Sequence, residues 1–279
     1  PEGVRDSCLL VVTGQNMVPF YKTIHFGNVS EPFITVSDIV FDDADGNGNG
    51  LPDYSEQVNL RITVKNIGKA STSKLTARLS VVSGMITLEA DTATIGVLLP
   101  GQTRTITGKF IFRVSDSVKD GELAALLLSI KGGDEEYRYG IDMTLNAPKL
   151  KIISAIHDDS SLGNSNFLPD AGEKLHLRIR VKNNGSAATT GVVKITNTGS
   201  LLTVLQPELA TDSIKPGQVK DIYFEAEISL LAGSGKVIPY DVSFICGKYE
   251  ARGKWSLSTG KTRETWEFNR FDVFPWIMN

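Results

Sequence analysis

Hydrophobic and polar residues alternate along this chain in short runs. Val58, Leu60, Ile62 and Val64 are interleaved with Asn59, Arg61 and Thr63, and Leu175, Leu177, Ile179 and Val181 show the same pattern further on. Ile106, Phe110, Phe112 and Val114 keep one phase, as do Ile222, Phe224, Ala226, Ile228 and Leu230. A period of two places such side chains on one face of a half-buried strand. Turn-forming residues at Asn66–Gly68, Pro100-Gly101 and Lys131–Asp134 punctuate the runs.

The runs belong to a repeat. Pro32-Phe33-Ile34-Thr35-Val36 leading into Phe41-Asp42-Asp43 matches Pro148-Lys149-Leu150-Lys151-Ile152 leading into His157-Asp158-Asp159, 116 positions later. Pro52-Asp53-Tyr54-Ser55-Glu56 matches Pro169-Asp170-Ala171-Gly172-Glu173 at 117, so the second copy has one extra loop residue. Leu60–Gly68 matches Leu177–Gly185, including a shared Lys-Asn-x-Gly, and Pro100-Gly101-Gln102 matches Pro216-Gly217-Gln218. The repeat also decides one ambiguous segment. Glu122–Ile130 (ELAALLLSI) has helix-forming composition, but its counterpart Lys236–Ile245 carries β-branched and aromatic residues and a proline. A helix interior does not tolerate that proline, so strands are predicted in both. About seven strands in each unit of roughly 115 residues predict an all-β chain of two tandem immunoglobulin-like antiparallel β-sandwiches. The expected modules are residues 31–147 and 148–261. Residues 1–30 read as closing strands of a preceding Ig-like module, and 262–279 as the start of a following domain or a packing tail.

Composition narrows the function classes. Hydrophobic residues make up 41% and charged residues 22%, enough for packed cores and incompatible with intrinsic disorder. A net charge of −3, from 29 basic and 32 acidic residues without basic blocks, gives no support to a nucleic-acid partner or an anionic membrane surface. The longest apolar stretch, near Leu123–Ile130, falls short of the ~20 residues that cross a bilayer, so no membrane insertion is expected. The sequence opens on Pro1 without an initiator Met or signal peptide, which fits a segment of a longer polypeptide. Cys8 and Cys246 lie in different units, and no disulfide is expected.

The sharpest chemical motif is Asp42–Glu56, DDADGNGNGLPDYSE. Asp43, Asp45, Asn47, Asn49, Asp53 and Glu56 offer the six to eight oxygens that calcium takes, and Gly46, Gly48 and Gly50 permit a tight loop. Tyr54 stands where an EF-hand has its bidentate Glu. The second loop, with Asp159, Ser161, Asn164, Asn166, Asp170 and Glu173, has less fixed charge and is expected to hold calcium less tightly. Against both stands the alternative of an Asn/Gly-rich turn with solvated acids. His25, His157 and His176 share no zinc spacing, and no catalytic motif is recognisable, so no catalytic residue is assigned.

The run VVTGQNMVPF, the two repeats with their Pro-led strand, DD-to-GE loop and KNxG, and the tail ETWEFNRFDVFPW resemble the region downstream of the catalytic domain in gingipain-type secreted cysteine peptidases. There the tandem Ig-like repeats are similar to the CARDB type, a cell-adhesion-related bacterial module, and the tail is similar to the opening of a jelly-roll domain. The peptidase domain itself is not among these residues. The resemblance implies a secreted, outer-surface or periplasmic protein of a Gram-negative bacterium. Its partners would be neighbouring domains of the same polypeptide and host or matrix proteins or glycans. The expected role is a non-catalytic spacer or adhesion segment. Two alternatives remain: a carbohydrate- or glycoprotein-binding module using the tail aromatics Trp266, Phe268, Phe271, Phe274 and Trp276, and a hydrolase using Cys246 with His157 or His176.

Overall fold

The computed structural model describes residues 7–15, 18–25, 30–82 and 84–260, so the tail aromatics lie outside the described residues. Two short strands, β1 (Ser7–Val12) and β2 (Phe20–His25), pair with each other in an antiparallel ribbon. The remaining strands belong to two compact units. One joins residues up to 115 with 123–144, the other joins 116–122 with residues from 145 onward.

The first unit runs β3 (Ile34–Asp42), β4 (Gln57–Asn66), β5 (Leu75–Val81), β6 (Ile86–Ala90), β7 (Thr92–Gly96), β8 (Thr103–Ile106), β9 (Ile111–Val114), β10 (Glu122–Gly132) and β11 (Glu135–Leu145). One of its sheets has the order β3-β4-β9-β6, with β8 also on β4, and the other the order β11-β10-β5-β7. The second unit runs β12 (Leu150–Asp158), β13 (Lys174–Asn183), β14 (Thr189–Thr196), β15 (Leu202–Val204), β16 (Glu208–Ile214), β17 (Val219–Ile228), β18 (Val237–Cys246) and β19 (Tyr249–Ser258). Its sheets, β12-β13-β17-β15 and β16-β14-β18-β19, repeat the order of the first unit, with β17 in place of β8 and β9. Each unit is an antiparallel β-sandwich, and the described residues contain no helix.

Alternation builds the cores. Val58, Leu60, Ile62 and Val64 are completely buried, as are Leu175, Leu177, Ile179 and Val181. Each such side chain contributes about 1.5–3 kcal/mol of burial free energy. The helix-like run is a strand, β10, whose Ala124, Leu126, Leu128 and Ile130 point inward while Leu123 is exposed. Two expectations of continuity fail. The run from Ile106 to Val114 is broken into β8 and β9, with Gly108 between them at φ +66°, whereas β17 in the other copy is unbroken. Leu230, expected in the buried phase of β17, lies beyond the strand end and is exposed.

A fully buried asparagine fixes the end of β4, and another does the same for β13. The Asn66 Oδ1 accepts the N–H groups of Phe33 and Gly68, while its Nδ2 donates to the carbonyls of Ala70 and Leu98. Asn183 makes the same four bonds, to Lys149, Gly185, Ala187 and Ile214. The following glycine is obligatory for contact reasons: a Cβ on Gly68 would sit 2.2 Å from the Glu31 carbonyl oxygen, and one on Gly185 would sit 2.2 Å from that of Ala147. The first strand of each unit also carries a bulge at the same place, between Val36 and Asp38 in β3 and between Ile152 and Ser154 in β12. Tyr139 of β11 donates its hydroxyl to the Ile34 carbonyl, tying the free edge of one sheet to β3 in the other, and the Tyr137 hydroxyl is shared between the Glu135 carboxylate and the Pro32 carbonyl.

Candidate functional site

The acidic loops connect β3 to β4 and β12 to β13, strands that pair antiparallel up to the loop mouth. In the first loop Asp43, Asp53 and Glu56 are buried, although Asp45, Asn47 and Asn49 are exposed. Asp43 accepts the N–H of Gly50 on Oδ1 at 3.0 Å and that of Asn49 on Oδ2 at 2.9 Å. Glu56 reaches back across the loop, its Oε1 accepting the Asn47 N–H at 3.0 Å and its Oε2 the Asp53 N–H at 3.1 Å. Gly46 is what lets it pass, because a Cβ there would lie 1.9 Å from Glu56 Oε1. Burial raises the Glu56 carboxyl above its ordinary pKa, with the charges of Asp53 and Asp43 adding to it and the two backbone donors opposing it.

The asparagines tie the loop to its acids. The side-chain oxygens of Asn47 and Asn49 are taken by backbone N–H groups two residues on, those of Asn49 and Leu51. Their Nδ2 groups both donate to Asp53 Oδ2, at 2.5 and 3.0 Å. The second loop reproduces this without dependence on the first. Asn164 and Asn166 turn their oxygens to the N–H groups of Asn166 and Leu168. Both of their Nδ2 groups donate to Asp170 Oδ2 at 2.9 Å. Glu173 accepts from Asn164 N and Asp170 N, and Gly163 makes room for it as Gly46 does for Glu56.

The residues expected to ligate calcium lie together in each loop, and most of them hydrogen-bond to one another or to the loop backbone. Asn47 and Asn49 present nitrogen to Asp53, Asp45 is exposed, and both oxygens of Asp43 and of Glu56 hold backbone N–H groups of the loop. In the second loop Ser161 turns to His176 Nδ1 at 3.1 Å. Among the described residues no group of three or more His, Cys, Asp or Glu side chains is placed to hold a metal ion. Two buried oxygens, Asp53 Oδ1 and Asp159 Oδ1, have no hydrogen-bond partner. They are not equivalent in the repeat: in the first loop Gly50 N–H serves Asp43 Oδ1, whereas in the second Phe167 N–H goes to Asp159 Oδ2. The residue types of this site were legible in the sequence; the direction of its amides was not. The repeated Lys-Asn-x-Gly was the signal for the buried Asn66 and Asn183, which sequence reasoning took for turn residues.

The remaining candidate groups stay apart. Cys246 is buried at the end of β18 and accepts a hydrogen bond from the Thr189 hydroxyl at 2.7 Å. His157 and His176 lie on β12 and β13, in the opposite sheet of that sandwich. The His157 ring meets the Phe167 carbonyl, and His176 packs edge-on against Tyr223. Open depressions of about 750 and 590 Å³ lie on the β5–β10 and β14–β18 faces, lined by residues such as Thr76, Arg78 and Ser129 in one and Lys194, Ser243 and Arg252 in the other. Neither is lined by a cysteine or a histidine.

The class these features define is an all-β protein of tandem β-sandwiches, each with a hydrogen-bonded acidic clasp between its first two strands. No protein-family model and no curated protein matches the chain. Among solved structures it is similar to a protein of unknown function from Porphyromonas gingivalis, at 15% sequence identity over 81% of this chain and 99% of that chain, with a TM-score of 0.25.

Proposed function

We propose that this chain is a non-catalytic spacer or adhesion segment of a secreted or cell-surface bacterial protein, with neighbouring domains and surface macromolecules as its partners. One observation carries the reading: the same clasp and the same asparagine corner are built twice. Buried polar groups in both copies are spent on closing loops and strand ends. A segment that must transmit load or hold other domains apart needs such closure in every module. Asparagine amides close each clasp on Asp53 or Asp170, leaving Asp53 Oδ1 and Asp159 Oδ1 without a partner, and in this reading the clasp holds without a cation.

Pulling the purified chain by its ends tests the proposal. Two discrete unfolding events are expected, each releasing about 350–400 Å of contour for a module of roughly 110 residues. Unfolding in one smooth extension at low force would sink it. A thiol-directed activity probe supplies the second arm, with competition by a peptide substrate as the control. Labelling of Cys246 that a substrate suppresses would move the reading to a hydrolase.

A further inference from the structure

Three asparagines in the chain are followed by glycine: Asn47, Asn49 and Asn184. Such a step is able to modify itself, because glycine has no side chain to shield its backbone nitrogen from the neighbouring amide carbon. The nitrogen attacks that carbon, the side-chain amide leaves as ammonia, and the resulting cyclic imide takes up water. A nitrogen whose N–H is held in a hydrogen bond is a poor nucleophile, since it must give up the bond before it reacts. The three steps differ in this respect. Gly50 N–H donates to Asp43 Oδ1 at 3.0 Å, and Asp43 is buried. Gly185 N–H donates to the Oδ1 of the fully buried Asn183 at 2.9 Å. Among the described residues, Gly48 N–H has no hydrogen-bond partner.

Asn47 meets the other requirements as well. It is exposed, so water reaches it. Its Oδ1 accepts the Asn49 N–H at 3.0 Å, which folds the side chain over the Gly48 peptide and polarises the amide carbon. We propose that Asn47 is a site of spontaneous deamidation, with Gly48 N as the nucleophile and water as the co-reactant. Gly48 N gives its proton to solvent and bonds to Asn47 Cγ. The Cγ–Nδ2 bond then breaks, and Nδ2 takes a proton from solvent and departs as ammonia. Water opens either carbonyl of the imide, leaving aspartate or isoaspartate at position 47. The group lost is the Nδ2 that closes the clasp on Asp53 Oδ2. In the aspartate product a carboxylate faces Asp53 where a donor stood, and like charges repel. In the isoaspartate product the backbone gains a methylene in mid-loop. The second clasp lacks this chemistry: Ser165 and Phe167 follow its asparagines, and the Phe167 N–H is held by Asp159 Oδ2 at 2.9 Å. One clasp therefore ages while its repeat endures, whatever the chain does as a spacer.

The test ages the full 279-residue chain at mildly alkaline pH, folded in one sample and unfolded in urea in the other. Peptide mass spectrometry follows each Asn-Gly step until those of the urea sample have converted. In urea every backbone N–H is free, and the three steps should convert at similar rates. In the folded chain Asn47 should convert at least about tenfold faster than Asn49 or Asn184, the advantage of a nitrogen that leaves no hydrogen bond to react. An isoaspartate-specific methyltransferase should then label the folded chain at position 47. Asn47 left intact in the folded chain once the urea sample has converted would overturn the proposal. So would Asn49 or Asn184 keeping pace with Asn47 in the folded chain.

Discussion

Asn66 and Asn183 each satisfy four backbone groups from positions with no solvent access, so no water can replace them. Asn66→Ala therefore removes the partner of two N–H donors and of the Ala70 carbonyl, with Leu98 keeping the Thr72 N–H, and should cost at least about 2 kcal/mol in urea unfolding. Gly68→Ala should be comparably severe, upward of about 2 kcal/mol, because the added methyl meets backbone atoms of residues 31–33 that cannot swing away. The same measurement checks both; losses under about 0.5 kcal/mol would mean that the corner is not a fixed part of the fold. Tyr240 offers a pH signature. Burial pushes its phenol up to about 12. Its folded pKa thus stands above the unfolded value of about 10, so the stability it lends is complete below about pH 10 and drains away as pH climbs through the folded value. In a spectrophotometric titration Tyr240→Phe should remove a late-ionising component and leave the earlier phenolate signal unchanged.

At the level of strands and loops, the sequence was readable where side chains repeat and opaque where direction matters. Period two identified the inward faces of β4, β13 and β17, because burial of every second side chain is what holds a sandwich together. The repeat corrected the helical composition of β10, since tertiary context overrides local propensity. It could not announce the break between β8 and β9, which depends on a single positive φ at Gly108. In the clasps the acids and amides were visible as residue types, yet an asparagine can offer either oxygen or nitrogen, and only the fold assigns which. That assignment has a consequence. Asn47→Asp replaces an Nδ2 donor to Asp53 with a second carboxylate, and should destabilise the folded state by about 1–3 kcal/mol at neutral pH. Much of the loss should return at mildly acid pH, where the introduced carboxyl, once protonated, can donate again. Paired urea titrations of the variant and parent at the two pH values would show this, and an unchanged variant would mean that the amide is not a donor.

For the chain as a whole, duplication is the organising fact: two sandwiches with matching strand orders, matching bulges and matching clasps. The repeats depart from each other at the split of β8 from β9, where β17 runs unbroken, and at Gly50, where the second copy has Phe167. The central claim is that both clasps are closed by their own asparagines. The most direct measurement is thermal unfolding of metal-stripped protein in chelator and again in millimolar calcium. Closure by amides alone predicts superimposable melting curves, because a cation that does not bind the folded state cannot shift its stability. A calcium-dependent rise of several degrees, abolished by replacing Asp53, would contradict the account and favour the calcium site expected from the sequence.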